Sequence, residues 1–420
     1  MSTRESDATR VGASFDAMWS QIEPIGRAPS GGYRRYAWND ADLQLREWFA
    51  DAAGQRGLDV RTDRNANLWA WWLPGGDHGE HREPAGAFVT GSHVDSVPDG
   101  GAFDGPLGVV SALCAVDALR TAGVTPSKPV AVVVFADEEG ARFGNACTGS
   151  RLTTGALDPD RARGLRDADG TSLAEAMRAA GFDPGDLGRD DETLRRIGVF
   201  VELHIEQGRA LVDVDAPVGL ATGIWPHGRW RFSFIGRADH AGTTRLADRR
   251  DPVLPFAATV LAARRHAEAQ SALATFGRTT ITPNATNGIA SRVDAWLDAR
   301  AEHQQVLDEL VGAVVADAAA QAHDAGVTIE TTVESLTPAV QFDSAVRARL
   351  ASVLVAAPQL PTGAGHDAGV LAAEVPTGMV FVRNPSGVSH SPHEFAERAD
   401  CLAGVDALAA VMQAWLEERG

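Results

Sequence analysis

Short apolar runs alternate with amphipathic helical segments in the first half of the chain. The segment DADLQLREWFADAAGQRG places its leucines and aromatic residues on one helical face and ends at a glycine, which is typical of an amphipathic helix. The runs NANLWAWWLPG, GAFVTGSHVDSV and KPVAVVVFADEEG are rich in β-branched and aromatic residues and predict strands. Helical segments such as LGVVSALCAVDALRTAG lie between them. This alternation predicts an α/β domain whose mixed, largely parallel sheet is flanked by helices.

A different order of elements begins near Val218. The pattern predicts a strand in RWRFSFIGRADHAG, a helix over 252–270, two strands in GRTTITPNATNGIASRVDAWLDARA, a helix over 302–325 and a strand in VTIETTVES. This order of elements is that of the ferredoxin-like α+β fold. Because the α/β pattern returns after about Pro338, we predict that residues 219–334 are an inserted domain. Residues 1–218 and 335–420 together would then form the α/β domain.

Length and composition agree with two domains of an ordinary globular protein. The 420 residues exceed the size at which a single hydrophobic core usually stops growing, and 44% of them are hydrophobic while 22% are charged. The polar segment PGGDHGEHREPAG predicts a loop, with His78 and His81 solvated.

Charge and cysteine content exclude several classes of function. A formal net charge of -18 disfavours a general nucleic-acid or anionic-membrane binder, because those surfaces need a basic patch. The three cysteines are far apart and form no CxxC pair, so neither a disulfide framework nor a cysteine zinc site is indicated. No secretory signal and no apolar stretch long enough to span a membrane is visible. We therefore expect a cytoplasmic protein that acts on small molecules.

The segment GSHVDSVPDGGAFDGPLGVV is the first cluster with candidate chemistry. His93 and Asp95 lie two residues apart at the end of a predicted strand, so their side chains leave the same face. That spacing suits a metal-ligating histidine whose far ring nitrogen is held by a carboxylate. Asp104 follows in a glycine-rich loop that can curl closely around an ion. A strand end followed by a polar turn explains this segment equally well when it is taken alone.

Four further clusters make a metal site the better explanation. Two adjacent carboxylates, Glu138 and Glu139, follow a buried strand, and their mutual repulsion would be relieved by a cation. The other three clusters contain His204 in ELHIEQG, His366 in TGAGHDAG and His390 in GVSHSPHEF. Each cluster alone has a plainer explanation, such as solvated turn acids or a core histidine. Together their nitrogen and oxygen ligands suit zinc, manganese, nickel or cobalt.

The same motifs resemble a known family. The segments GSHVDSVPDGGAFDGPLGV, DEEGARF, ELHIEQG, GRADHAGTT, PNATN, GAGHDA and SHSPHE, in this order, are similar to those of the N-carbamoyl-L-amino acid hydrolases and allantoate amidohydrolases. These enzymes are the amidase branch of the aminoacylase and dipeptidase clan of dinuclear metal hydrolases. The resemblance implies a zinc-exopeptidase-like catalytic domain and an inserted domain that dimerises and closes over it.

The resemblance also implies roles for individual residues. Five side chains would bind two divalent metal ions, with Asp104 bridging them: His93, Asp104, Glu139, His204 and His390. Glu138 would be the general base, which takes a proton from water and delivers it to the departing nitrogen. Asp95 belongs to the same catalytic set, and His240 would stabilise the oxyanion. The implied substrate contacts are Gln207, Asn287, Arg300 and His366, with Arg300 forking onto a substrate carboxylate.

The expected protein is therefore a homodimeric amidohydrolase of small carboxylate substrates, in which some inserted-domain residues reach the partner's site. Its substrate would carry a carbamoyl, ureido or linear amidine group, as in allantoate or an N-carbamoyl-L-amino acid. Three alternatives stay open: hydrolysis of N-formyl or N-formimino glutamate, a dipeptidase or aminoacylase activity, and a non-catalytic dimeric binding protein. The resemblance disfavours the dipeptidase, because the related peptidases have an acidic ligand where this chain has His204.

Overall fold

The computed structural model describes residues 3–76 and 85–417, and the chain divides into two compact units. One unit comprises Met1–Thr222 and Gln341–Gly420, and the other comprises Gly223–Val340. His78 and His81 lie outside the described residues.

Fifteen strands are present in the described residues. In chain order they are β1 (Asp59–Thr62), β2 (Leu68–Trp72), β3 (Ala87–His93), β4 (Val130–Phe135), β5 (Ile197–Ile205), β6 (Val218–Ile224), β7 (His227–Ile235), β8 (Asp239–His240), β9 (Leu273–Thr282), β10 (Gly288–Ile289), β11 (Arg292–Arg300), β12 (Thr328–Thr337), β13 (Val340–Gln341), β14 (Gln359–Thr362) and β15 (Thr377–Val382).

Thirteen α-helices accompany them in the same part of the chain. They are α1 (Thr3–Ile22), α2 (Asp40–Gln55), α3 (Pro106–Thr121), α4 (Thr148–Thr154), α5 (Pro159–Gly164), α6 (Leu173–Ala179), α7 (Asp191–Arg196), α8 (Ala210–Asp213), α9 (Val253–Ala269), α10 (Gln304–Asp324), α11 (Ser344–Val353), α12 (Asp367–Leu371) and α13 (Arg398–Glu417).

The first unit is built on one large mixed sheet, as predicted. Its strand order is β1-β2-β4-β3-β5-β15-β6-β13, with β14 beside β6. The central strands β4, β3, β5 and β15 run parallel, whereas β2 and β6 pair with them antiparallel. Every residue of β3, β4 and β15 is buried, which explains why their sequences are continuous apolar runs. The α/β prediction with a largely parallel sheet and flanking helices is confirmed.

Helix α13 is long and apolar enough to cross a membrane by length and composition alone. More than half of its most apolar window is buried, and side chains such as Leu408 and Met412 belong to the main core of the first unit. It packs against α3 and β15. Its apolar composition is therefore that of a core helix. The sequence patterns described above did not predict this helix.

The second unit has the strand order β12-β7-β11-β9, with every neighbouring pair antiparallel. Helices α9 and α10 pack against each other. The core of this unit includes Phe232 and Phe234 of β7 and Val314 of α10. This βαββαβ order is the ferredoxin-like arrangement expected from the sequence. The predicted start at residue 219 differs from the structure, because Val218, Gly219 and Leu220 of β6 pair with β15 in the first sheet.

Candidate active site

The predicted ligands of the first unit lie at one edge of its sheet. Strands β4, β3, β5 and β15 are neighbours and parallel, so their carboxyl ends meet at the same edge. His93 ends β3, Glu138 and Glu139 follow β4, His204 lies one residue before the end of β5, and His390 follows β15. Open α/β sheets commonly bind ligands at such an edge.

His93, Asp104 and His204 form the first group of potential metal ligands. The Nε2 atoms of His93 and His204 lie 3.5 Å and 3.1 Å from Asp104 Oδ1. All three side chains are buried, with His204 completely inaccessible. A carboxylate and two imidazoles buried this close together are stabilised by a shared proton or by a cation.

Asp104, Glu139 and His390 form the second group, which shares Asp104 with the first. His390 Nε2 lies 3.4 Å from Asp104 Oδ2 and 3.6 Å from Glu139 Oε2. Asp104 thus presents Oδ1 to one group and Oδ2 to the other. A carboxylate in this position can bridge two ions. His390 has a positive φ of 54°, which is costly for a residue other than glycine and is typical of functional positions.

These side chains fit divalent ions in two respects. Ligand atoms around a tetrahedral ion lie roughly 3.3 Å apart, because each is about 2.0–2.1 Å from the ion. The four distances between a histidine nitrogen and a carboxylate oxygen in the two groups are 3.1–3.6 Å. In addition, the buried Nε2 atoms of His93 and His204 have no hydrogen bond of acceptable geometry within the described residues. A buried ring nitrogen without a partner is rare unless a ligand satisfies it.

The far nitrogens of both histidines are fixed by backbone carbonyls. His93 Nδ1 lies 3.1 Å from the carbonyl oxygen of Asp95, and His204 Nδ1 lies 2.8 Å from that of Ile205. Donation from each Nδ1–H leaves the Nε2 lone pair directed at the ligand groups. The sequence suggested that the Asp95 carboxylate holds His93, but this carboxylate lies 3.5 Å away and instead accepts the backbone N–H groups of Glu138 and Glu139.

The loop that carries Asp104 is held by the C-terminal segment. Glu394 Oε1 accepts the backbone N–H groups of Phe103 and Asp104, at 3.0 Å and 2.9 Å. Ser389 donates to Asp104 Oδ2 at 3.3 Å and to Glu394 Oε2 at 3.2 Å. Gln207, a predicted substrate contact, donates to Asp104 Oδ2 at 2.6 Å. Ser389 and Glu394, which are 285 and 290 positions after Asp104, therefore help to fix Asp104 and its loop.

Burial and neighbouring charges shift the pKa values of these groups. Burial raises the pKa of Glu138 well above its usual range despite the nearby His93 imidazole, and burial together with the Asp104 charge raises the pKa of Glu139 to about 7. For His390, the carboxylates of Asp104 and Glu139 outweigh burial and raise the pKa to about 9. The imidazoles around Asp104 outweigh its burial in the same way and hold its pKa well below the usual value. Burial and mutual charge thus move the pKa of each of these four groups away from its usual value.

His366 lies beside the first ligand group. It is the residue that precedes α12, and its ring centroid is 4.4 Å from that of His204. In the part of the chain that the structure describes, its buried Nε2 has no hydrogen-bond partner. Burial and the neighbouring His204 lower the pKa of His366 well below its usual value, so the ring is neutral. Glu202 and His366 also form a ligand-like group with His204. The carboxylate of Glu202, however, already accepts Ser92 Oγ and the backbone N–H of Ala368.

The three predicted site residues of the second unit lie in two different places. His240 in β8 pairs with Gly288 of β10, and the Ala241 N–H donates to the carbonyl of Asn287, so His240 and Asn287 are neighbours. Arg300 ends β11 and forms two hydrogen bonds to Asp298, at 2.7 Å and 3.2 Å. In the ladder of β7 and β11, Arg300 pairs with His227 while Arg292 pairs with Ile235, beside β8. Arg300 therefore lies at the opposite end of this sheet from His240.

Two residues near the ligands were not recognised in the sequence. Cys147 donates from Sγ to Glu138 Oε1 at 3.2 Å, and the buried Asp367 accepts a hydrogen bond from Ser150 at 2.5 Å. Asp367 follows His366 directly, which was a usable signal. Cys147 lies nine residues after Glu138 in a segment without periodic pattern, and nothing in its sequence context distinguishes it from a core cysteine.

Comparisons with known proteins identify the family of the chain. The chain from residue 89 to 414 matches Peptidase family M20/M25/M40. It is 36% identical over 393 residues to an N-carbamoyl-L-amino acid amidohydrolase of Geobacillus stearothermophilus, covering 92% of this chain and 94% of the relative. It is 31% identical over 400 residues to an allantoate amidohydrolase of Escherichia coli K12, covering 93% and 95%.

Solved structures give the same result. A hydantoinase/carbamoylase family amidase from Burkholderia vietnamiensis superposes with a TM-score of 0.87 at 30% identity, covering 97% of this chain and 98% of that one. The resemblance found in the sequence is thereby confirmed. The chain belongs to Peptidase family M20/M25/M40, and the relatives described above are N-carbamoyl-L-amino acid and allantoate amidohydrolases.

Proposed function

We propose that this protein is a metal-dependent amidohydrolase that cleaves a carbon–nitrogen bond in a carbamoyl, ureido or linear amidine group of a small carboxylate substrate. The observation that carries the proposal is the position of Asp104. Its Oδ1 faces the imidazoles of His93 and His204, its Oδ2 faces that of His390, and Glu138 lies beside His93. Relatives named N-carbamoyl-L-amino acid amidohydrolase, allantoate amidohydrolase and ureidoglycolate hydrolase support the substrate class.

The proposed ligands are those predicted from the sequence. One ion would be held by His93, Asp104 and His204, and a second by Asp104, Glu139 and His390. Ions bound by these residues would lower the pKa of a water molecule towards neutrality and would polarise the scissile carbonyl. Zinc, manganese, nickel and cobalt all suit this set of nitrogen and oxygen ligands.

Glu138 is the proton carrier in this proposal. Its Oε2 lies 3.7 Å from His93 Nε2, and so faces the first ligand group without belonging to it. The raised pKa of Glu138 suits a group that accepts a proton from the attacking water and returns it to the leaving nitrogen. Asp95 assists by holding the backbone of Glu138 and Glu139 through their N–H groups.

The second unit would supply substrate contacts from more than one chain. The ladder from His227 to Ile235 spans nine residues, or about 26 Å at the usual rise of a strand. His240 and Asn287 lie beyond one end of that ladder and Arg300 lies at the other. A small substrate cannot bridge this distance. If His240 stabilises the oxyanion and Arg300 binds the carboxylate of the same molecule, one of them comes from a second copy, which supports a homodimer.

A substrate panel tests the proposal. The purified protein, loaded in turn with zinc, manganese, nickel or cobalt, is incubated with allantoate, N-carbamoyl-L-amino acids, ureidoglycolate, N-formyl and N-formimino glutamate, and dipeptides. Hydrolysis is followed through ammonia or amino-acid release, with the Glu138→Gln protein as the control. Preferred turnover of ureido or carbamoyl substrates is expected. Preferred turnover of dipeptides, or no metal-dependent turnover of any substrate, would overturn the proposal.

A further inference from the structure

The carboxylate of Glu138 has a single hydrogen-bond donor among the described residues, and that donor is a thiol. Cys147 Sγ lies 3.2 Å from Glu138 Oε1. The other oxygen, Oε2, faces His93 Nε2 at 3.7 Å. Cys147 is 4% exposed and Glu138 is 6% exposed, so water does not compete freely for this contact. The two oxygens of Glu138 therefore have different surroundings, one fixed by sulfur and one directed towards the ligand groups.

The backbone around Cys147 fixes the thiol relative to Glu138. Successive N–H groups of Cys147, Thr148 and Gly149 donate to the carbonyls of Glu138, Asp137 and Ala136, at 2.6 Å, 3.0 Å and 2.8 Å. Cys147 itself has a left-handed conformation with φ of 54° and ψ of 41°, which is rare outside glycine. A non-glycine residue held in this conformation marks a position that its surroundings determine strongly.

The thiol keeps its proton in this environment. Burial raises the pKa of Cys147 well above its usual value, and the charge of Glu138 raises it further. A protonated thiol is a donor, whereas a thiolate would repel the carboxylate. The contact is thus an S–H to carboxylate hydrogen bond in which Cys147 donates.

We propose that Cys147 is a positioning residue that selects the rotamer of Glu138 and keeps Oε2 directed at the reacting water. The inference rests on the proposed role of Glu138 as the proton carrier. A free glutamate side chain has several rotamers of similar energy, and a general base must lie within hydrogen-bond reach of its proton. Removal of the donor increases the fraction of molecules in which the carboxylate points elsewhere, so it lowers kcat without removing any substrate contact.

Cysteine variants separate positioning from packing. Cys147→Ala removes the donor, Cys147→Ser restores one, and Cys401→Ala is the matched control, because Cys401 is also a buried thiol but lies in the core helix α13. For each protein we would measure metal content, kcat and KM with the substrate that the wild-type protein hydrolyses best. We expect kcat of Cys147→Ala to fall about ten-fold or more, with KM and metal content unchanged. Cys147→Ser should recover much of the lost kcat, and Cys401→Ala should keep the wild-type value.

An infrared measurement tests the contact itself without any turnover. The S–H stretching band of Cys147, identified by its loss in Cys147→Ala, should shift to the frequency of a weaker hydrogen bond when Glu138 is replaced by alanine. This readout remains available if Cys147→Ala folds poorly, because Cys147→Ser can then identify the band.

Two results would overturn the inference: wild-type kcat in Cys147→Ala, or an S–H band that does not respond to Glu138→Ala. A wild-type protein that hydrolyses no substrate would instead contradict the proposed function, while the infrared result would still report on the contact.

Discussion

Glu138 and Glu139 are neighbours in sequence but have different chemical surroundings. Glu139 Oε2 faces His390 at 3.6 Å and belongs to a ligand group, whereas Glu138 faces the Cys147 thiol and the edge of the His93 ring. The sequence alone shows two equivalent carboxylates, and only the resemblance to a family assigned them separate roles. The structure gives the two carboxylates different neighbours, which the two proposed roles require.

Replacement of Glu138 by glutamine should separate catalysis from metal binding. The amide has nearly the same shape but cannot accept a proton from water. We expect kcat to fall by about a hundred-fold or more, which is the usual contribution of a general base, while the divalent metal content stays at the wild-type value. Glu139→Gln is the matched control and should lose metal. Substantial turnover in Glu138→Gln would remove this residue as the base.

Metal affinity should depend on pH through His390 and Glu139. The metal-free protein holds a proton on His390 up to a pKa of about 9 and on Glu139 up to a pKa of about 7. An ion must displace these protons, so its affinity should rise with pH up to about 9 and rise most steeply below about 7. Titrations of the metal-free protein at several pH values, with His390→Ala as the control, would measure this. An affinity that is constant between pH 6 and 9 would contradict the prediction.

The sequence pointed to the candidate ligands more clearly than to the residues that hold them. His93, Asp104, Glu139, His204 and His390 were recognisable because they end apolar strands or lie in glycine turns, and these strand ends meet at one sheet edge. Glu394 supports Asp104 from 290 residues away, and such long-range hydrogen bonds leave no local pattern. The same limit explains why Cys147 was missed.

At the scale of elements, the start of α3 connects the fold to the site. Gly105 caps this helix with φ of 85° and ψ of -62°, a conformation close to the strained γ-turn. A Cβ atom at this position would lie 2.5 Å from the His93 ring. Gly123, just beyond the other end of α3, also has a positive φ, of 74°, but has no atom within 4 Å of such a Cβ.

The two glycines provide a matched pair of alanine substitutions. Gly123→Ala should destabilise the protein by about 1–2 kcal/mol through its backbone conformation alone. Gly105→Ala should cost more than Gly123→Ala and should also weaken metal binding, because the new methyl group displaces a ligand histidine. Thermal unfolding of the metal-free proteins and metal titration would measure the two effects. Equal metal affinity in both variants would show that Gly105 does not control the position of His93.

The two long helices of the second unit were predicted closely, whereas the long helix α13 and several short helices were not predicted. The helices predicted over 252–270 and 302–325 are present as Val253–Ala269 and Gln304–Asp324. Helices α4 to α7 have six or seven residues each, which is less than two turns, so they show no repeated apolar face. Three of them start at a local cap, formed by Asp158, by Ser172 with Glu175, and by Asp190, but such a cap alone does not predict a helix.

For the whole molecule, the central prediction is that active sites combine residues from two chains. The separation of His240 from Arg300 along one sheet requires this if both contact one substrate. We would co-express Glu138→Gln chains with either His240→Ala or Arg300→Ala chains and purify the mixed dimers through two tags. One of the two mixtures should recover up to about half of wild-type activity, because one of its sites then contains only wild-type residues.

The mixture that recovers activity identifies the residue supplied by the partner. Recovery in neither mixture, with dimers present and each single variant inactive, would contradict sharing of the site between chains.

The most direct test of the whole account is the location of bound metal. We would load the protein with zinc or manganese, determine its stoichiometry by elemental analysis and locate the ions by anomalous X-ray diffraction. The account predicts two ions per chain, one on each side of the Asp104 carboxylate, and loss of both in Asp104→Ala. A fully folded protein that binds no stoichiometric metal, or binds it away from Asp104, would contradict it.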